Sequence, residues 1–449
     1  MPTGNMRTAM VLGGGAARGA YEAGVVAYLR GELARELGHH VPLDVITGTS
    51  VGAINACYMA GAAAEPQRQA SDLIDQWTSL RIEDVLDFRA SDALRVLRDL
   101  TRRKPDPKNS VDFGGLVKPT GLRSMVRTRI AWREIGKNIR SGALYALSVS
   151  CTRVATGRTT VFLQRREKDA PPWSRDFHYR AIAARIGPSH ALASAAIPLV
   201  FPAVPVGGEL YVDGGLRQSV PLSPALRLGS RRVIVVSLRH RPVAASVEPG
   251  GSRKPEAVQS EPLPTTELNP MVDDGYTLPS PPHPSLAFLA GKTLDALLTD
   301  RTDEDLHRLR RFNAILEAGT RSYGPRFETV LNAAFEPVRQ HPMQWVRNIL
   351  VHPSVNLGEL AADYARSAEF RKRASGLVGG ALRRLAESES NRADLVSYLL
   401  FDGGYSERLI ELGKQDARAK RDEWIRFFSP EPESEAEAAQ LEQARAAGT

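Results

Sequence analysis

Residues 45–56 read Val45-Ile46-Thr47-Gly48-Thr49-Ser50-Val51-Gly52-Ala53-Ile54-Asn55-Ala56, an apolar strand end that passes through a glycine-flanked serine into a helix of small residues. Gly48 to Gly52 has the G-x-S-x-G form of a nucleophile elbow. A sharp strand-to-helix turn lifts the serine hydroxyl out of the sheet, and a side chain at either glycine would collide with neighbouring backbone. The helix that follows aims its first amides and the positive end of its dipole at developing negative charge. Ser50 is therefore the candidate nucleophile.

Alone, five residues in a chain of 37 glycines also describe an ordinary strand-helix turn. A second glycine cluster upstream weighs against that reading. Met10-Val11-Leu12 forms a short apolar strand, Gly13-Gly14-Gly15-Ala16-Ala17-Arg18-Gly19 follows, and Tyr21, Val25, Val26 and Leu29 keep helical spacing. Small residues between a strand and a helix leave backbone N–H groups uncovered, which suits an anion or the oxyanion of a tetrahedral intermediate. A Rossmann fingerprint started at Gly13 requires glycine where Arg18 stands, and started at Gly14 requires it at Ala16. A P-loop requires a Gly-Lys-Ser/Thr ending that is absent here.

The third element is Glu209-Leu210-Tyr211-Val212-Asp213-Gly214-Gly215, an alternating strand that delivers an aspartate onto a glycine pair. Such a carboxylate acts as a general base if it reaches the serine hydroxyl, and Asp-Gly-Gly is equally a common turn. Asp402-Gly403-Gly404 repeats the three letters between two helical stretches and reads as a helix stop.

Together these elements resemble the patatin-like phospholipase family. The resemblance rests on the Gly13–Gly19 loop, the Gly48–Gly52 elbow, Ala193-Ser194-Ala195-Ala196-Ile197-Pro198 with Phe201-Pro202, and Asp213-Gly214-Gly215, in matching order; Ser397–Asp402 and Leu409–Ala417 are similar to the C-terminal part of bacterial members. It implies a three-layer α/β/α fold with a mostly parallel central sheet, here with a C-terminal helical extension. It also implies a Ser-Asp dyad, hydrolysis of lipid acyl esters, and no metal or other cofactor in the chemistry. Carried over, Ser50 is the nucleophile and Asp213 the base. Gly13, Gly14, Gly15 and Ala16 supply the oxyanion hole, with Arg18, Gly19, Gly48, Gly52, Gly214 and Gly215 supporting the motifs. The third glycine of the family's usual loop falls on Ala16, where a left-handed backbone is disfavoured, and Ser219 stands where asparagine is common.

Composition bounds the rest. The 449 residues are 42% hydrophobic, and two cysteines, Cys57 and Cys151, form no disulfide framework, which points to a reducing compartment. The first ten residues hold no apolar signal region, and the longest apolar stretch, Ala191–Val206, is too short and proline-broken to span a bilayer. The expectation is a cytoplasmic protein or one peripheral at a membrane. Net charge is +8, and residues 89–140 carry fourteen Lys or Arg against five Asp or Glu. That suits anionic headgroups or a plain solvated face; no nucleic-acid motif accompanies it.

Along the chain, residues 1–240 read as the catalytic domain, with 81–140 a basic helical insertion containing the Ala93–Thr101 helix. Strands are expected at Leu144–Ser150, Thr159–Leu163, Leu210–Val212 and Val233–Leu238. Residues 241–284 hold ten of the thirty prolines and read as a disordered insertion. Residues 285–428 read as helical, through Leu286, Leu289, Leu294, Leu297 and Leu298, then Leu306, Leu309, Phe312 and Leu316, with Asp303-Glu304-Asp305 at a helix start. Leu409, Leu412, Trp424, Phe427 and Phe428 form either a core-packed or a membrane-facing stripe, and 429–449 is an acidic tail, frayed or disordered. Two other readings stand beside the dyad. One is an esterase triad with His240, 27 residues beyond Asp213; the other is a lipid-binding protein that has lost turnover.

Overall fold

The computed structural model describes residues 6–85, 120–167, 173, 179–198, 200–241, 302–335, 343–374, 377–386, 393–430, 432, 434 and 437–439. Ala93–Thr101, the leucines at 286–298 and, apart from Arg241, the proline-rich stretch lie outside them. So do residues 86–119 of the basic insertion and most of the acidic tail.

Nine strands of the described residues form one sheet: β1 (Thr8–Leu12), β2 (Val45–Thr49), β3 (Ala146–Arg153), β4 (Thr159–Arg165), β5 (Tyr179–Ala183), β6 (Val204–Val206), β7 (Glu209–Asp213), β8 (Arg232–Val236) and β9 (Arg347–Val351). The order is β5-β4-β3-β2-β1-β8-β9, with β7 joined to both β3 and β6. β3, β2, β1, β8 and β9 run parallel; β4 pairs antiparallel with β3, and β7 with β3 and β6.

Period-two alternation explains why these runs are apolar throughout. Met10, Leu12, Ile46, Ile234 and Val236 enter one core, while Ala9, Val11, Val45, Val233 and Val235 enter the other, as strands buried on both faces require. The result is a mostly parallel sheet between helical layers.

The helices that carry the site and its supports are α1 (Ala20–Arg30), α2 (Val51–Gly61), α3 (Pro66–Thr78), α4 (Pro188–Ser194), α5 (Thr302–Tyr323), α6 (Phe327–Phe335), α7 (Ala393–Leu399), α8 (Gly403–Ala419) and α9 (Arg421–Phe428). Leu306, Leu309 and Leu316 of α5 are buried and its first turn holds Asp303, Glu304 and Asp305, as the periodicity requires; Phe312 faces out. Leu409, Trp424 and Phe427 are buried, so that stripe belongs to the core. No helix of the described residues is long and apolar enough to cross a membrane.

Three expectations are corrected. Within the stretch read as helical, Arg347–Val351 is β9, a parallel strand beside β8 with alternating buried positions; its five residues carry too few turns to show a period. Asp402-Gly403-Gly404 begins a helix rather than stopping one. Asp402 is the N-cap of α8, its carboxylate accepting from the Gly404 amide, the Tyr364 hydroxyl and Arg373. Finally, Glu437 in the acidic tail is buried and ion-paired to Arg347 at 2.6 Å, so that point of the tail is fixed.

Candidate active site

Ser50 and Asp213, 163 residues apart in sequence, meet because two strands share one slot of the sheet. β2 runs up beside β3 and ends where Thr49 pairs with Ser150. Immediately above, β7 comes down beside β3 and ends where Asp213 pairs with Cys151. The strands therefore meet head-on at adjacent register positions, and the Ser50 hydroxyl donates to Asp213 Oδ2 at 2.6 Å. Both residues are buried, at 1% and 0% exposure.

The turn that presents Ser50 is strained. Its φ of 57° and ψ of −127° put a non-glycine residue in a region costing about 1–3 kcal/mol. The strain is held by close packing: a Cβ on Gly52 would lie 2.5 Å from the Leu12 carbonyl oxygen, and one on Gly48 would overlap the Gly52 carbonyl. A residue that sequence reasoning quoted within a motif but gave no role completes the clamp. Ser194 Oγ, at the end of α4, accepts from the Ser50 amide at 2.9 Å and donates to the Ser150 carbonyl at 2.6 Å.

Asp213 is poised rather than simply ionised. Burial pushes its carboxyl from 3.8 up to about 7, against the opposing pull of the hydrogen bonds from Ser50 and from the Gly215 amide, 2.7 Å from Oδ1. Gly214 and Gly215 open the short 3₁₀ turn that sets this second contact. A carboxylate with a pKa near neutrality, bonded to a hydroxyl, is matched to proton abstraction from it.

The glycine loop packs against the elbow, with a Cβ on Gly14 falling 3.1 Å from Ser50 Cβ. Its amides are not equivalent, which corrects the expectation that all four are donors. The Gly14 N–H is committed to the Ser219 carbonyl at 2.9 Å. The Gly13 amide approaches the carboxyl of Glu22. Gly15 and Ala16 are the loop donors that remain. Ala16 has φ of 50°, so this chain holds an alanine in the left-handed conformation that a glycine would take without strain. Arg18 turns away from the site into the C-terminal helices. It donates to Ser397 Oγ at 2.8 Å, to Tyr398 OH at 3.1 Å and to Asp394 Oδ1 at 3.1 Å, and it lies over the Tyr398 ring.

Behind the loop runs a buried polar chain. Trp77 Nε1 donates to Asn55 Oδ1, and Asn55 Nδ2 donates to the Gly19 carbonyl and to Glu22 Oε2. Glu22 is fully buried, and desolvation raises its carboxyl from 4.5 to about 8. Isolated polar letters in apolar helices were the only available signal for this chain.

His240 has no part in the dyad contact: its Nδ1 faces the Pro353 carbonyl at 3.0 Å, while Ser50 and Gly215 take the two oxygens of Asp213. Among the described residues no cluster of three His, Cys, Asp or Glu has metal-binding geometry.

Residues 10–226 match the family Patatin, patatin-like phospholipase, which spans all three motifs. No curated protein matches the chain. Among solved structures, VipD from Legionella pneumophila is similar at 11% identity and a TM-score of 0.37, covering 94% of this chain and 68% of that one.

Proposed function

We propose, from the premise that residues 10–226 are a patatin-like phospholipase domain, that this protein hydrolyses acyl esters of glycerophospholipids through Ser50 and Asp213. The observation that carries the reading is the 2.6 Å hydrogen bond between a strained serine and a buried, near-neutral carboxylate.

Asp213 takes the hydroxyl proton as Ser50 Oγ attacks the ester carbonyl, and the electron pair moves to the carbonyl oxygen. That oxyanion forms beside the Gly15 and Ala16 amides and the N-terminal amides of α2, which precede the first intrahelical donor, Ala53. Collapse expels the alcohol, which takes the proton back from Asp213. Water, deprotonated by the same carboxylate, then attacks the acyl-serine ester, the fatty acid leaves, and the proton returns from Asp213 to Ser50 Oγ. The substrate is presented at a membrane surface that the protein visits from solution.

Fluorophosphonate labelling and lipid analysis of treated phospholipid vesicles test this directly. Wild-type protein is expected to be tagged and to release fatty acid. Ser50→Ala should not be tagged, and Asp213→Asn should fall by about 10³-fold or more in turnover. A wild type that is neither tagged nor hydrolytic returns the protein to the lipid-binding reading.

A further inference from the structure

The strands that bring Asp213 to Ser50 do not stop at the site. β3 and β7 continue beyond it, through the pairs Thr152–Val212 and Arg153–Tyr211, to the level where the Val154 amide donates to the Leu210 carbonyl at 2.9 Å. β6 adds its own pair there, Pro205 with Leu210. Residues opposite one another on antiparallel strands share a sheet face. Pro205, Leu210 and Val154 thus form one apolar row across three strands, about 10 Å beyond Asp213 at ~3.4 Å per residue.

All three are exposed, Leu210 and Val154 at 49% each. Folding does not need them there, since the neighbouring Tyr211 and Asp213 are what the strand buries. Among the described residues the charge near the row is mainly basic. Arg158 lies on the β3–β4 turn and Arg180 on β5, both exposed, and Arg180 acts electrostatically on Glu209 and Tyr211 of β7. Glu209, the acid of the hairpin tip, is paired with Arg153.

We propose that this row is the surface by which the protein seats on an anionic phospholipid bilayer, its three apolar side chains entering the headgroup region and the arginines contacting lipid phosphates. The occupant follows from charge complementarity and from position, because the row ends the same β3–β7 ladder that carries Asp213. Aliphatic side chains beside cations suit an interface that is apolar below and negatively charged above. The inference rests on the lipid-hydrolase reading for its purpose, but its test does not depend on turnover.

Binding is measured by co-sedimentation of Ser50→Ala protein with vesicles of phosphatidylcholine and phosphatidylglycerol, with and without Val154→Asp and Leu210→Asp together. Partitioning should fall by about tenfold or more in the triple variant, and added salt should weaken the parent. In the active background, Val154→Asp/Leu210→Asp should lower vesicle hydrolysis by a similar factor and leave a soluble short-chain ester within about twofold. Equal partitioning of both proteins overturns the proposal. So does a wild type that is dimeric without lipid and becomes monomeric in the aspartate variant, which would make the row a contact between copies. Absent hydrolysis by the wild type on both substrates counts against the catalytic reading alone.

Discussion

At the scale of single residues, Ala16 is the most informative departure from a glycine loop. Its left-handed backbone costs about 1–2 kcal/mol relative to a right-handed one. Glycine would remove that strain while losing about 0.5–1 kcal/mol to backbone entropy. The strain is the larger effect, so Ala16→Gly should stabilise the fold by up to about 1 kcal/mol, read as a higher urea midpoint, and should not lower kcat. A drop in kcat would mean that the alanine methyl, and not the backbone it tolerates, serves the site. Asp213 makes a second prediction. With its carboxyl at about 7, kcat/KM should rise tenfold per pH unit below that value and level off above it. Ser50 and Asp213 were legible in the sequence because each needs a glycine-marked turn. Ser194 was legible only as a letter of the Ala193–Pro198 motif and its role was not: accepting from one amide and donating to one carbonyl leaves no mark of its own in the sequence.

At the scale of elements, the strands and helices that bury two faces or one stripe were readable, and those defined by pairing were not. β1, β2, β3, β4, β7 and β8 announce themselves as β-branched or alternating runs, whereas β5, β6 and β9 show no such run and owe their state to a neighbour. Nothing in β2 or β7 alone indicates that they end against each other beside β3, yet that register brings Ser50 to Asp213. Helix pairing is equally silent. α1 crosses α8 at backbone contact, with Gly24 against the Ile410 carbonyl and Gly413 against the Tyr21 carbonyl, so that a Cβ at either would lie far inside van der Waals contact. The same crossing is fastened by Tyr21 OH to Asp416 Oδ2 at 2.8 Å. Gly413→Ala should therefore destabilise by about 1–3 kcal/mol through overpacking, where an exposed helix would gain from the same change. Chemical denaturation decides between the two signs.

At the scale of the whole molecule, the C-terminal half is not an appendage to a finished catalytic unit. β9 covers β8, whose residues pair with it from Arg232–Arg347 to Val236–Val351. α7 holds Arg18 of the glycine loop, and α8 lies on α1. Arg347 ties β9 to the carbonyls that end α9 and, through a buried ion pair, to Glu437. Proton linkage also acts on the whole chain. Burial raises Glu22 from 4.5 to about 8 and Asp213 from 3.8 to about 7, so over that window the folded protein keeps protons that the unfolded chain has released. Unfolding free energy should then fall as pH rises from about 4 to 8, while activity rises, and Glu22→Gln should flatten much of that fall in urea titrations at pH 5 and pH 8. The division at residue 240 makes the sharpest prediction at this scale. Cutting there would uncover the outer edge of β8, leave the apolar faces of α1 and β8 in water, and strand the Arg18 guanidinium without its partners on α7. The exposed apolar face of α1 and the lost β8–β9 ladder would together remove a large part of a typical domain's stability. Residues 1–240 expressed alone should therefore show no cooperative melt by circular dichroism and no fluorophosphonate labelling, while the full chain melts in one transition. A 1–240 fragment that melts cooperatively and labels at Ser50 would show that the sheet closes without β9 and that the loop holds its shape without α7.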